Sequence, residues 1–217
     1  MIITFVNESV TQGIAGLDAV LDSFAKVVAK AWNLGDVSVV EGKARTEGQM
    51  NLCLVDKFPN QKMTALAYGY HEVLNGHPIA YARIDAFGKR SLYGKYYPPI
   101  KLGPLKFTKP MYLPGVVTVL AHELAEMLID PNINGYFQDG QGRKWLQEVC
   151  DHTVGNWIAS PAPIHPQAVM PDFTFPSFYN TAGTAPYSYC NVPTKPFTLV
   201  PGAYGFYKDD KGNIIKL

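Results

Sequence analysis

Three polar residues that could bind a metal ion stand together in an otherwise apolar stretch. His122, Glu123 and Glu126 lie within residues 116–129, where Val, Leu, Ala, Met and Ile make up nearly all of the rest. At about 100° per residue, His122 and Glu126 fall on one face of a helix, one turn apart. A helix that is apolar on nearly all sides is buried, and buried ionisable groups need a counter-charge. The spacing therefore predicts a divalent-metal site with His122 and Glu126 as ligands.

The glutamate directly after the histidine indicates a catalytic role for the same site. In HExxH helices the two histidines bind zinc, and the glutamate between them acts as general base. Glu123 has that position here, and Glu126 stands in place of the second histidine. A carboxylate oxygen binds zinc but also suits other divalent ions. We expect Glu123 to be the catalytic base and the cofactor to be a divalent metal, with Zn²⁺ preferred.

A further ligand is expected from an acidic group that follows along the chain. We predict a second helix at residues 144–158, on which Glu148 and Asp151 share one face at i, i+3 spacing. One of them would bind the metal, with Glu148 preferred, and the other would orient His122 through its second ring nitrogen. Asp130, at the end of the first helix, could take either role. The other histidines, His71 included, are interpreted as surface or satisfied residues.

The remaining pattern predicts an α+β fold. Apolar residues at helical spacing predict a helix at 17–32, and residues 86–113, rich in Lys, Tyr and Pro without an acid, indicate a long irregular loop. We expect the helix at 116–129 to pack on a mixed sheet of at least four strands. β-Branched and apolar runs separated by turn residues predict strands at residues 2–7, 37–40, 51–55, 66–71 and 79–84.

Composition limits both the organisation of the chain and its partners. The 217 residues, 47% hydrophobic and with a net charge of +1, suit a globular core and do not suggest nucleic-acid binding. We predict a domain at 1–159 and a Pro- and aromatic-rich arm at 160–217, which holds nine of the 17 prolines. No apolar run is long enough for a membrane span, and no secretion signal is expected. Three widely spaced cysteines predict free thiols.

Two stretches of the sequence resemble a family of zincin-like proteins found in tailed-phage and prophage genomes. Residues 122–131 read HELAEMLIDP and residues 148–151 read EVCD, which is similar to the HExxExxxDP…ExxD pattern of that family. Residues 196–204, PFTLVPGAY, are similar to its PFTLxPGGY segment. Ile129 stands where the family usually has Thr, and Ala203 replaces one Gly. The resemblance implies a zincin-like fold, a peptidase-like metal centre and a phage origin.

Two functional hypotheses follow from the residues and the resemblance together. In the first, the protein is a zinc-dependent hydrolase that cuts peptide bonds, and a strand at 79–84, at the sheet edge, binds an extended substrate. In the second, it is a structural virion protein of the capsid, neck or tail, whose metal site is structural or vestigial. The expected partners are a peptide substrate or other virion proteins, and the expected location is the virion or the host cytoplasm. An open metal position facing a cleft would favour the enzyme.

Overall fold

The computed structural model describes residues 1–9, 14–63, 67–86, 92–102, 105–107, 110–162, 165–209 and 211–217. The strands and helices over these residues follow in chain order: β1 (Ile2–Asn7), α1 (Leu17–Trp32), β2 (Ser38–Gly42), β3 (Met50–Val55), β4 (Gly69–Leu74), β5 (His77–Arg83), β6 (Lys95–Tyr97), β7 (Ile100–Leu102), β8 (Leu105–Phe107), β9 (Met111–Leu113), α2 (Val116–Ile129), β10 (Tyr136–Gln138), β11 (Lys144–Leu146), β12 (Trp157–Ala159), β13 (Val169–Pro171), β14 (Phe206–Lys208) and β15 (Ile214–Lys216). None of the helices in these ranges is long and apolar enough to cross a membrane.

The main sheet has five strands in the order β2-β1-β3-β5-β4. Its first four strands are parallel, and β4 runs antiparallel to β5 through the turn at Asn75 and Gly76. Alternate residues of each strand face opposite sides, because side chains in a strand point up and down in turn. Leu52 and Leu54 join the core shared with α1 and α2, whereas Cys53 and Val55 join a smaller cluster on the other face. Both helices therefore cover the same face of a mixed sheet.

Helix α2 occupies the residues predicted for it, Val116–Ile129, and packs against both the sheet and α1. Leu120 and Leu124 are fully buried. The prediction that 79–84 forms the sheet edge was wrong. The corresponding strand, β5, lies between β3 and β4, so β4 is the edge strand at that end of the sheet. Sequence periodicity gives strands but not their order, which depends on long-range pairing.

The stretch predicted as one long irregular loop contains four short strands. β6 pairs with β9, and β7 pairs with β8. Tyr96 and Tyr112 lie opposite each other, with ring centroids 5.1 Å apart, and such cross-strand aromatic pairs stabilise antiparallel ladders. Residues 87–91, 103–104 and 108–109 of the predicted loop lie outside the described residues.

Residues 160–217 pack against the rest of the chain. Phe173 and Phe178 are fully buried in the same core as both helices. β14 pairs with β11 and β15, which ties the C-terminal residues to a four-stranded sheet that begins before residue 160. The arm therefore contributes to the core, while its status as a separate unit stays a prediction. Cys53, Cys150 and Cys190 are free thiols.

Candidate metal centre

One turn of α2 brings the predicted helical residues together at a buried position. The Nε2 atom of His122 lies 3.2 Å from Oε1 of Glu126, as expected for residues four apart on a helix. The side chain of Glu126 is only 4% exposed, and that of His122 is 17% exposed. Glu126 Oε1 also accepts a hydrogen bond of 3.3 Å from the backbone N–H of Cys150. The helix thus presents one nitrogen and one oxygen ligand side by side.

Asp151 supplies the third group. Its Oδ1 atom lies 3.1 Å from Nε2 of His122, and its side chain is 8% exposed. The contact with His122 lacks hydrogen-bond alignment, so this oxygen accepts no aligned hydrogen bond among the described residues. A buried carboxylate oxygen without a donor is costly unless a cation or proton compensates it. His122, Glu126 and Asp151 therefore offer one imidazole and two carboxylates, and Cys150 offers a thiol within 4.8 Å of ligand atoms of His122 and Glu126.

The prediction of a helix at 144–158 was wrong, and a different backbone path brings Asp151 to this position. Residues Lys144–Leu146 form β11, and the chain then turns into a short 3₁₀ helix, Asp151–Thr153, and strand β12. β11 exchanges backbone hydrogen bonds with β10 and β14, so its N–H and C=O groups are not available to a helix. The aromatic and β-branched residues of this stretch also favour extended backbone over helix.

Tertiary hydrogen bonds hold the turn that carries Asp151. The backbone N–H and the hydroxyl of Thr174 both donate to the carbonyl of Val149, at 2.8 and 3.1 Å. The hydroxyl of Thr153 donates to the carbonyl of Asp172 at 3.0 Å. The backbone N–H of Tyr204 donates to the carbonyl of Asp151 at 3.3 Å. Asp151 is thus positioned by residues 170–204, far along the chain.

The other two predicted carboxylates, Glu148 and Asp130, have different neighbours from Asp151. Glu148 offers an oxygen within 4.8 Å of ligand atoms of Glu126 and Asp151, in a group that does not include His122. The geometry therefore favours Asp151 over Glu148 as the ligand next to His122, and the choice between them stays a prediction. Asp130 is engaged elsewhere, because its two oxygens accept hydrogen bonds from the N–H groups of Asn134 and Gly135. Asp130 is in none of the ligand groups formed by the described residues.

His71 is a member of the cluster that sequence reasoning missed. It lies on the edge strand β4, and its side chain is 7% exposed. Its Nδ1 atom is 3.6 Å from Oε2 of Glu123 and 3.9 Å from Oε2 of Glu126. The alternation of side chains along a strand contained a signal for this position. Tyr70 packs in the smaller apolar cluster on the far face of the sheet, so the side chain of its neighbour His71 lies on the face toward α2. The interpretation of His71 as a surface or satisfied residue was wrong, because its side chain is buried and its Nε2 has no hydrogen-bond partner among the described residues.

A pocket of about 350 Å³ opens onto the cluster beside α2. His122, Glu123, Gly69, Trp157 and Tyr204 contribute to its lining. Gly69 allows β4 to approach the helix closely, because a Cβ at this position would lie 2.7 Å from Oε1 of Glu123. Two tyrosines, Tyr68 and Tyr204, line this pocket. Tyr204 belongs to the PFTLVPGAY segment, so the resemblance contained a signal for it.

Burial and mutual repulsion shift the ionisation of these groups. Burial alone would lower the pKa of His122, but Glu126 and Asp151 outweigh it and raise that pKa well above its ordinary value. Burial raises the pKa of Asp151, and the charge of Glu126 adds to the rise. Burial, followed by the charge of Glu126, likewise raises the pKa of Glu148 well above its ordinary value. The carboxylates crowd each other, which a bound cation would relieve.

No family of known sequences, no curated protein and no solved structure matches this chain.

Proposed function

We propose that the protein is a divalent-metal-dependent hydrolase, with zinc as the preferred metal and a peptide as the substrate class. The observation that carries this proposal is the position of the pocket. His122 and Glu123 line it, while Glu126 and Asp151 lie behind them in the protein. Three buried protein ligands beside an open pocket are typical of catalytic zinc sites, whereas structural sites have four protein ligands and no opening. The pocket favours the hydrolase over a structural virion protein.

The donor set suits the metal. His122, Glu126 and Asp151 would hold it, because imidazole nitrogen and carboxylate oxygen are both zinc ligands. Ligands about 2.1 Å from one ion lie at most roughly 4.2 Å apart. The separations from Nε2 of His122, 3.2 and 3.1 Å, satisfy that limit, and Glu126 and Asp151 have ligand oxygens within 4.8 Å of each other. When bound, the cation supplies positive charge that polarises a carbonyl group and acidifies water.

Glu123 is the proton carrier in this proposal. Its carboxylate lines the pocket next to His122, where it accepts a proton from the attacking water and passes it to the leaving amine. Burial is the main cause that raises the pKa of Glu123, which brings the carboxylate closer to the range of an effective base. The Tyr204 hydroxyl, on the same pocket, donates a hydrogen bond to the oxygen on which negative charge develops.

Strand β4 supports a peptide as substrate. Among the described strands β4 pairs with β5 alone, so its outer edge is open to an added strand. An extended peptide binds such an edge through main-chain hydrogen bonds. Gly69 lies at the start of β4 and on the pocket, so a peptide on this edge would pass Glu123. The phage resemblance adds the proposal that the substrate is a peptide segment of a virion or host protein.

The test is hydrolysis of a quenched fluorescent peptide library by zinc-loaded protein. Wild type should cleave, and Glu123→Gln should lose at least about 100-fold in rate, because removal of a general base typically costs 10²–10⁴-fold. Glu41→Gln is the matched control, since Glu41 is exposed and lies outside the pocket lining. Absence of cleavage by wild type, or equal rates for Glu123→Gln and wild type, would contradict the proposal. Zinc binding without cleavage would favour the structural virion hypothesis.

A further inference from the structure

The two oxygens of Glu126 face two different groups of ligands. Oε1 lies beside His122 and accepts a hydrogen bond from Cys150, as described above. Oε2 faces the other way, 3.9 Å from Nδ1 of His71. His71, Glu123 and Glu126 offer three ligand atoms within 4.8 Å of one another, and this group contains neither His122 nor Asp151. A carboxylate that serves two separate groups through its two oxygens has the arrangement of a bridging ligand.

Glu123 points to a ligand in the second group. Its side chain is 8% exposed, and it pairs with Nδ1 of His71 at 3.6 Å, which is too long for a hydrogen bond. A carboxylate so deeply buried requires compensation. The separations of 3.6 and 3.9 Å from His71 fall within the roughly 4.2 Å that two ligands of one ion can span.

The charges of the cluster leave room for a second cation. A divalent ion at His122, Glu126 and Asp151 balances two carboxylates. Glu123 and Glu148 remain, and the ion pairs found for Glu123, Glu126 and Asp151 within the described part of the chain involve only His71 and His122. No lysine or arginine contributes positive charge to these contacts. A cation beside His71 would balance the charge of Glu123.

We propose that Glu126 bridges two divalent-cation positions, the second of which is formed by Nδ1 of His71, Oε2 of Glu123 and Oε2 of Glu126. This inference goes beyond the proposed function and shares Glu123 and Glu126 with it. Glu123 keeps its other oxygen for proton transfer, since Oε1 faces Gly69 on the pocket side. Two-cation centres bridged by carboxylates place their ions about 3.5–4 Å apart and clamp both oxygens of a displacement reaction.

The test is zinc stoichiometry, measured by calorimetric titration of metal-free protein and by elemental analysis after dialysis. Wild type should bind two zinc ions per chain, and His71→Ala should bind one. His77→Ala is the matched control and should still bind two, because His77 lies at the start of β5 and in none of the ligand groups. Circular dichroism checks the fold of each variant, and His71→Gln replaces His71→Ala should the latter unfold.

The measured zinc stoichiometry distinguishes failure of the second cation position from failure of the proposed function. One zinc in both wild type and His71→Ala, or two in both, overturns the second position and leaves the proposed function intact. No zinc in wild type overturns both proposals. An independent measurement uses wild type alone: with two equivalents of Co²⁺, ions bridged by Glu126 should show magnetic coupling in electron paramagnetic resonance. The spectrum of two isolated Co²⁺ ions would overturn the inference.

Discussion

Helix α2 and the turn at residues 147–153 both supply the metal centre, but they do so by different means. In α2, His122 and Glu126 meet because helical spacing places them together, and the apolar residues around them bury that helix. In the turn, Asp151 reaches His122 because hydrogen bonds from Thr174, Thr153 and Tyr204 fix the backbone around it. The comparison shows that one half of the site is local in origin and the other half depends on the whole fold.

The largest effect on stability is expected from a substitution in the core that supports α2. Leu120 is fully buried on α2, so Leu120→Ala should lower the free energy of unfolding by about 2–5 kcal/mol through lost burial and a cavity. The spacing of His122 and Glu126 comes from the helix, so zinc affinity of the protein that stays folded should change little. Urea unfolding and zinc titration measure the two quantities. A large loss of affinity at unchanged stability would break the comparison.

A smaller effect is expected at Asp139, which anchors the hairpin that precedes the turn. Its Oδ2 accepts hydrogen bonds from Nε1 of Trp145 and Nε of Arg143, at 2.8 and 2.7 Å. Asp139→Asn should cost about 1.5–3 kcal/mol of stability, the range for hydrogen bonds to charged groups. These contacts span only four to six residues, so we expect little change in zinc affinity.

The effect of Asp139→Asn should also depend on pH. Burial acts to raise the pKa of Asp139, but the hydrogen bonds from Trp145 and Arg143 outweigh it and lower the pKa below the ordinary 3.8. A lowered pKa stabilises the folded state above the unfolded-state value, and this contribution is lost as the pH falls through the lowered pKa. The difference in melting temperature should therefore be full at about pH 5 and shrink below 3.8. A difference that grows with acid would contradict this assignment.

The smallest change in stability, with the most specific consequence, is expected at Thr174. Thr174→Val removes the hydroxyl that bonds to the carbonyl of Val149 and to the hydroxyl of Tyr179, at a cost of about 0.5–1.5 kcal/mol for each bond. Because the bond to Val149 holds the turn that carries Asp151, zinc affinity should fall several-fold as well. Thr198→Val is the control, since its hydroxyl donates to the carbonyl of Pro196, two residues away. Equal zinc affinity of the two variants would show that the turn does not depend on Thr174.

The same contrast explains what the sequence could predict. Helices α1 and α2 and the strands of the main sheet follow from local periodicity, and the i, i+4 spacing correctly joined His122 to Glu126. Asp151 was predicted to lie beside His122, as it does, but the helix at 144–158 that was expected to carry it was wrong. His71 and Tyr204 were missed as site residues because strand order and the fold of the C-terminal residues bring them to α2. Local patterns do not contain that information.

The central claim is that His122, Glu126 and Asp151 hold a divalent metal. Its most direct test is elemental analysis of wild-type protein purified without chelator and without added metal, beside His122→Ala purified in the same way. We expect at least one divalent ion per wild-type chain. The variant should lose it, because removing a ligand should weaken binding more than the roughly 10–100-fold cost of removing an outer partner. Wild-type protein without metal, or a His122→Ala variant with an unchanged metal content, would contradict the claim.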